Sequence, residues 1–167
     1  MSHVEHRAAA PASVRAFVLT ISDTRRVETD TSGRAIAALL EQAGHVVAGR
    51  AFVRDDPDAI GRALTEALAQ PDVQVVISTG GTGIASRDRT YDVVSDLLDR
   101  RLDGFGELFR MLSYQEIGAA AMLSRALAGT ARGKILAALP GSEAAVRLAM
   151  TKLLLPELGH LVREVNR

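Results

Sequence analysis

A chain of 167 residues suits one domain with a sizeable core. Its 20 basic and 20 acidic residues cancel, which argues against nucleic acid or an anionic membrane as partner. The absence of cysteine excludes disulfides, thiolate metal sites and thiol catalysis, and no apolar run approaches a membrane span or a signal core, so a cytoplasmic protein is expected.

Residues 1–13 show no periodicity and read as a flexible arm, with His3 and His6 solvated rather than metal-binding; residues 14–167 read as a single α/β domain. Ala16 to Ile21 is a first buried strand, ending at Ser22 and Asp23. Thr31-Ser32-Gly33 opens a helix with Ile36, Leu39 and Leu40 apolar and Gly44 as its stop. Asp23 has two readings, since an Asp at a strand end can also tie down a loop.

A second strand lies within Val46 to Val53, interrupted by Gly49. Beyond it, Asp56 is a good N-cap with Pro57 at the first helical position. The helix that follows has Ile60, Ala63, Leu64, Ala67 and Leu68 on its inner face. Because Asp56 can do the capping, Asp55 is left at the strand's carboxyl end without an obvious structural task. That makes it a candidate ligand-binding carboxylate.

Val73, Val75, Val76 and Ile77 form the kind of apolar, β-branched run found in strands covered on both faces. The run ends in Thr79-Gly80-Gly81-Thr82-Gly83, followed by Arg87, Asp88, Arg89 and Thr90. Glycines permit backbone conformations closed to other residues, and a concave row of N–H donors binds phosphate well. A Cβ at Gly81 would crowd a phosphate or force an unsuitable backbone. The glycines could serve only to turn the chain, but Thr82, Arg87 and Asp88 beside them favour a ligand. The chain has neither G-x-x-x-x-G-K-[ST] nor G-x-G-x-x-G after a strand, so neither familiar nucleotide fingerprint is present.

A helix is predicted from Tyr91 to about Leu102, with Val93, Val94, Leu97 and Leu98 on one face. The stretch from Gly104 to Arg125 carries too many apolar groups for a solvated loop, among them Phe105, Leu108, Phe109, Met111, Leu112 and Ile117. Part is expected to be helical, serving core or subunit interface rather than a cofactor. Ala126 to Thr130 and Lys134 to Leu139 flank Ala131-Arg132-Gly133, which predicts a hairpin and one antiparallel strand. Gly141 and Ser142 then open the last helices, at once a Ser cap and a second potential anion site. Strands alternating with amphipathic helices give a three-layer α/β sandwich, its sheet mostly parallel and helices on both faces.

The set Thr20-Ile21-Ser22-Asp23, Asp30-Thr31-Ser32-Gly33, Asp55 after a strand, Thr79 to Gly83, Arg87 to Thr90, Gly104-Phe105-Gly106-Glu107, Leu123-Ser124-Arg125 and Leu139-Pro140-Gly141-Ser142 resembles the molybdopterin adenylyltransferase family of MoaB/MogA type. The resemblance runs in order from about Arg15 to the end, and the segment 104–114 is more similar to the MoaB branch. It implies adenylylation of molybdopterin by ATP with Mg²⁺ and release of pyrophosphate. Asp55 and Asp88 would then be the catalytic, metal-holding carboxylates. Thr79, Gly80, Gly81, Thr82, Gly83, Gly141 and Ser142 would contact nucleotide or phosphate, and Ser22, Asp23, Glu107, Ser124 and Arg125 the pterin. It also implies a trimer, possibly paired into a hexamer, working with other enzymes of molybdenum cofactor synthesis. The alternative is a non-catalytic molybdopterin-binding or assembly module of that pathway. The chain departs from the family pattern at Ser86, Arg89 and Glu143, where Pro, Val and Pro are common.

Overall fold

Six strands form one sheet in the order β2-β1-β3-β6-β5-β4 in the computed structural model, which describes residues 2–167 except the side chains of residues 3 and 6. The strands are β1 (Arg15–Ile21), β2 (Val46–Val53), β3 (Val75–Thr79), β4 (Arg100–Arg101), β5 (Leu127–Ala131) and β6 (Lys134–Leu139). β2, β1, β3 and β6 run parallel, and β5 is antiparallel to both its neighbours. The expected α/β sandwich, mostly parallel with one reversed strand, is the fold observed.

The apolar runs are continuous because helices cover both faces. Ala16 and Val18 of β1, Val75 and Ile77 of β3, and Ile135, Ala137 and Leu139 of β6 share one core. There they meet α2 (Thr31–Gln42), α5 (Asp103–Ile117), α6 (Glu143–Ala149) and α7 (Leu155–Val165). The alternate residues, Phe17, Leu19, Val76, Leu136 and Ala138, face α3 (Pro57–Ala69) and α4 (Thr90–Leu97) on the other side. Gly49 sits where β1 and β2 slip by one residue, and a Cβ there would lie 2.8 Å from the Phe17 ring.

The helix predicted from Tyr91 to about Leu102 stops at Leu97. Leu98 turns to extended backbone, and Asp99 and Leu102 donate to the Thr130 and Ala128 carbonyls at 2.7 and 2.8 Å. The ladder with β5 thus takes the backbone groups that further helix would have used. Gly129 admits this approach, since a Cβ there would overlap the Arg100 carbonyl. The hairpin from β5 to β6 turns on Arg132 and Gly133, both left-handed (φ 52° and 75°), the backbone of a type I′ turn.

The stretch read as a flexible arm carries a short helix, α1 (His3–Ala8), capped by Ser2 and Glu5. Arg7 holds it against α7 through Glu157 at 2.5 Å and the Pro156 carbonyl at 3.1 Å. The reading of His3 and His6 as solvated concerns side chains outside the described residues. No helix among the described residues is long and apolar enough to cross a membrane.

One buried carboxylate ties three elements together beneath the strand ends. Asp30, 1% exposed, caps α2 by accepting from the Gly33 N–H at 2.9 Å. It also accepts from Thr20 Oγ1 of β1 at 2.7 Å and from Arg50 of β2 at 3.2 Å. A Cβ on Gly33 would overlap both the Asp30 carboxylate and the Thr20 hydroxyl. In an exposed helix Gly→Ala stabilises by roughly 0.5–1 kcal/mol. Here Gly33→Ala should instead destabilise by about 1–3 kcal/mol, the usual cost of overpacking. Urea denaturation measures it, and an alanine variant more stable than the parent would contradict the packing described.

Candidate active site

The carboxyl ends of the parallel strands converge on one cleft, where open α/β sheets place ligands. Ser22, Asp23 and Arg25 follow β1, Asp55 follows β2, and Gly80, Gly81, Arg87 and Asp88 follow β3; Gly141, after β6, completes the wall. The cavity measures about 180 Å³, below the roughly 300 Å³ at which small-molecule pockets usually begin. It suits phosphate groups more than an enclosed nucleotide, whose remainder would lie along the open surface.

The glycine turn is built by close backbone approach. Gly80 (φ +105°) donates to the Leu139 carbonyl at 3.0 Å, and a Cβ on it would overlap the Ile21 carbonyl. Gly81 is also left-handed (φ +70°). A Cβ there would strike Thr90 behind the turn, so Gly81 is required by packing at its back. Gly83 is needed for a different reason: a Cβ would come 2.7 Å from the Asp88 carboxylate. Thr79 donates from its hydroxyl to the Pro140 carbonyl at 2.7 Å, joining this loop to the start of α6.

Asp23, Asp55 and Asp88 all line this cleft. The Asp55 N–H donates to Asp23 Oδ1 at 3.0 Å, and Asp88 Oδ2 accepts from the Ala85 N–H at 2.9 Å. Asp55 Oδ1 is buried and has no hydrogen-bond partner. Burial holds the Asp55 carboxyl above the ordinary carboxylate range. The Arg89 backbone N–H pulls the other way, the negative charges of Asp23 and Asp88 push further up, and Arg87 offsets part of that. The described residues contain no group of three or more His, Cys, Asp or Glu arranged for a metal. Mg²⁺ seldom uses an all-protein cage, however, and typically takes one or two carboxylates plus phosphate oxygens. Asp55 and Asp88, which share the cleft wall, fit that pattern.

Other expected residues fall elsewhere. Thr82 is buried, and its carbonyl accepts from the Arg125 N–H at 2.8 Å; neither Thr82 nor Gly83 lines the cleft. The Arg125 guanidinium donates to the Gly83 and Asp88 carbonyls at 2.9 and 2.8 Å and lies over the Tyr91 ring at 4.7 Å. It therefore clamps the loop, and with Ser124 it borders a neighbouring cavity of about 330 Å³. Glu107 is exposed on α5 and lines neither cavity. Ser142 caps α6 by accepting from the Ala145 N–H at 3.2 Å, and Glu143 pairs with Arg147 at 2.9 Å.

Two further contributors were given no role by the sequence. Arg25 bridges the cleft floor, donating to Ser32 Oγ at 2.8 Å and the Gly141 carbonyl at 2.7 Å. Thr90, at the start of α4, has a buried hydroxyl with no partner.

The sequence profile of a family described as "Probable molybdopterin binding domain" matches residues 17–160. The chain is 52% identical to the molybdenum cofactor biosynthesis protein B of Bacillus cereus, over 100% of this chain and 99% of the relative. A crystal structure of a molybdenum cofactor biosynthesis protein B superposes with a TM-score of 0.91 at 53% identity, covering 95% of this chain and 99% of that one. The tungsten cofactor synthesizing protein MoaB from Pyrococcus furiosus superposes with a TM-score of 0.84 at 36% identity, covering 95% and 100%.

The raised Asp55 pKa makes a stability prediction. A carboxylate whose folded pKa exceeds its unfolded value binds more protons in the native state, so its cost is present at neutral pH and vanishes as pH falls. Asp55→Asn should thus be at least as stable as the parent at pH 7. The advantage should disappear near pH 4, the ordinary carboxylate range of about 3.9. Urea midpoints at the two pH values check this; an Asn variant less stable at pH 7 would contradict it.

Proposed function

The chain belongs to the molybdopterin-binding family of molybdenum cofactor biosynthesis proteins, and on that premise we propose that it adenylylates molybdopterin with ATP. The observation that carries this reading is the meeting of Asp55 and Asp88 with the Gly80-Gly81 turn in a cleft sized for phosphates. In the reaction, the terminal phosphate of molybdopterin attacks the α-phosphorus of ATP. One P–O bond forms, the bond to the β-phosphate oxygen breaks, and pyrophosphate leaves.

Two polyanions must meet, so electrostatics and positioning dominate the barrier. Asp55 and Asp88 would hold Mg²⁺, which when bound neutralises phosphate charge and stabilises the leaving pyrophosphate. The Gly80-Gly81 turn borders the space the phosphates would fill, and Arg25 and Arg87 add positive charge at the cleft wall. An ionised phosphate is already a nucleophile, so no side chain has to act as a strong base. The pairing of Glu143 with Arg147 offsets the negative charge it would otherwise bring near the start of α6.

We place the self-association surface on α5 and the turn after it, within a trimer-based homo-oligomer serving the cytoplasmic pathway. Phe105 and Phe109 are internal, but Leu108, Met111, Ile117 and Met122 are exposed, Met122 by 75%. A cluster of that kind on a soluble protein usually marks an interface. Light scattering should give a mass of three chains or a multiple of three, and a monomer would remove this surface from the account.

Asp88→Asn should lower the rate of ATP-dependent adenylylation by about a hundredfold or more while the protein stays folded, as expected for losing one electrostatic group of this kind. The assay follows conversion of molybdopterin to its adenylylated form, with circular dichroism as the folding control. Turnover at the parental rate would overturn the assignment. Pterin binding without turnover by the parent protein would support the non-catalytic assembly reading instead.

A further inference from the structure

Behind the glycine turn, two polar groups face the same small space without a partner. Thr90 is fully buried, and its hydroxyl makes no hydrogen bond. Its backbone N–H donates to the Gly81 carbonyl at 3.1 Å, which fixes the residue against the turn. The position a Cβ on Gly81 would take overlaps Thr90 Oγ1 and lies 3.3 Å from Asp55 Oδ1. Asp55 Oδ1 is likewise buried without a partner, the third such oxygen among the described residues being Ser78 Oγ on β3. A donor hydroxyl and a carboxylate oxygen with open lone pairs therefore come together where the glycine at position 81 carries no side chain.

Packing alone does not call for a threonine here. The hydroxyl caps no N–H of α4, and valine would fill the same volume without burying an unsatisfied polar group. Nearly all buried polar atoms in native proteins are paired, so an orphan beside a binding cleft points to a partner acquired in use.

We propose that Thr90 is a positioning residue for Asp55: its hydroxyl donates to Asp55 Oδ1 when ligand fills the cleft and leaves Oδ2 to the divalent cation. This rests on the reading of Asp55 as a cation-holding carboxylate. The hydrogen bond fixes the carboxylate's rotation, as outer partners of metal ligands generally do, and removing such a partner typically costs 10–100-fold in metal affinity. Gly81 then has a second role, since any side chain at that position would stand between the hydroxyl and the carboxylate.

The test compares the parent chain with Thr90→Val and Thr90→Ser, using Mn²⁺ as the probe cation in the presence of ATP. The expected result has two parts. Thr90→Val melts without metal at or above the parental temperature, because an unsatisfied buried hydroxyl is gone. It binds Mn²⁺ about 10-fold or more weakly, and kcat falls while KM for molybdopterin holds. Thr90→Ser, which keeps the hydroxyl, restores both Mn²⁺ affinity and kcat. Parental Mn²⁺ affinity in the valine variant overturns the proposal. So does a valine variant that melts lower and binds less, which marks a structural role, or a serine variant that fails to restore binding. A parent protein that itself binds no Mn²⁺ with ATP overturns the reading of Asp55 and this proposal with it, so the two failures are told apart.

Discussion

At the end of β3 the chain must pass the end of β1 closely enough for backbone to touch backbone. Gly80 lies against the Ile21 carbonyl with no room for a Cβ, and its N–H continues the ladder to Leu139 of β6. Because both Gly80 and Gly81 are left-handed, the turn reverses within two residues and leaves β3 beside the loops after β1, β2 and β6. The cleft exists only because those four strand ends lie this close. A wider turn would separate Asp55 from Asp88 and open the space between the carboxylates to water, which would screen the charges they carry.

Charged side chains around this turn serve mainly as struts. Arg125 spans the Gly83 and Asp88 carbonyls, Arg25 spans Ser32 and Gly141, and Asp30 gathers donors from β1, β2 and α2. These bonds tie loop residues to the strands and helix beside them, which lets loops carry a fixed geometry beside a rigid sheet. Stiff loops lower the reorganisation needed when a charged ligand binds, the condition under which electrostatic stabilisation is most effective.

The local charge balance follows from the same arrangement. The charges of Asp23 and Asp88 raise the cost of ionising Asp55, and Arg87 offsets only part of it. A cleft of this kind favours cationic groups, and a divalent cation bound there would relieve the crowding of negative charge. The zero net charge of the chain reports only totals and says nothing of this local balance.

Local chemistry was enough to make several features legible in the sequence. β1, β3 and β6 are runs of apolar residues because both faces of the sheet are covered, and the Asp56-Pro57 start of α3 freed Asp55 for another task. The glycine loop and the hairpin announced themselves because positive φ narrows the choice of residue. Tertiary structure alone decided the rest. α4 ends at Leu97 because β5 offers an edge, and nothing within residues 90–102 encodes that edge. Glu107 and Arg125 lie in motifs that point to the site, yet one faces solvent and the other is spent on main-chain carbonyls. Arg25, Asp30 and Thr90 acquire their roles from partners up to 116 residues away in the chain. Periodicity and capping read neighbours a few positions apart, whereas these contacts depend on where separate strands end, and only the folded sheet fixes that.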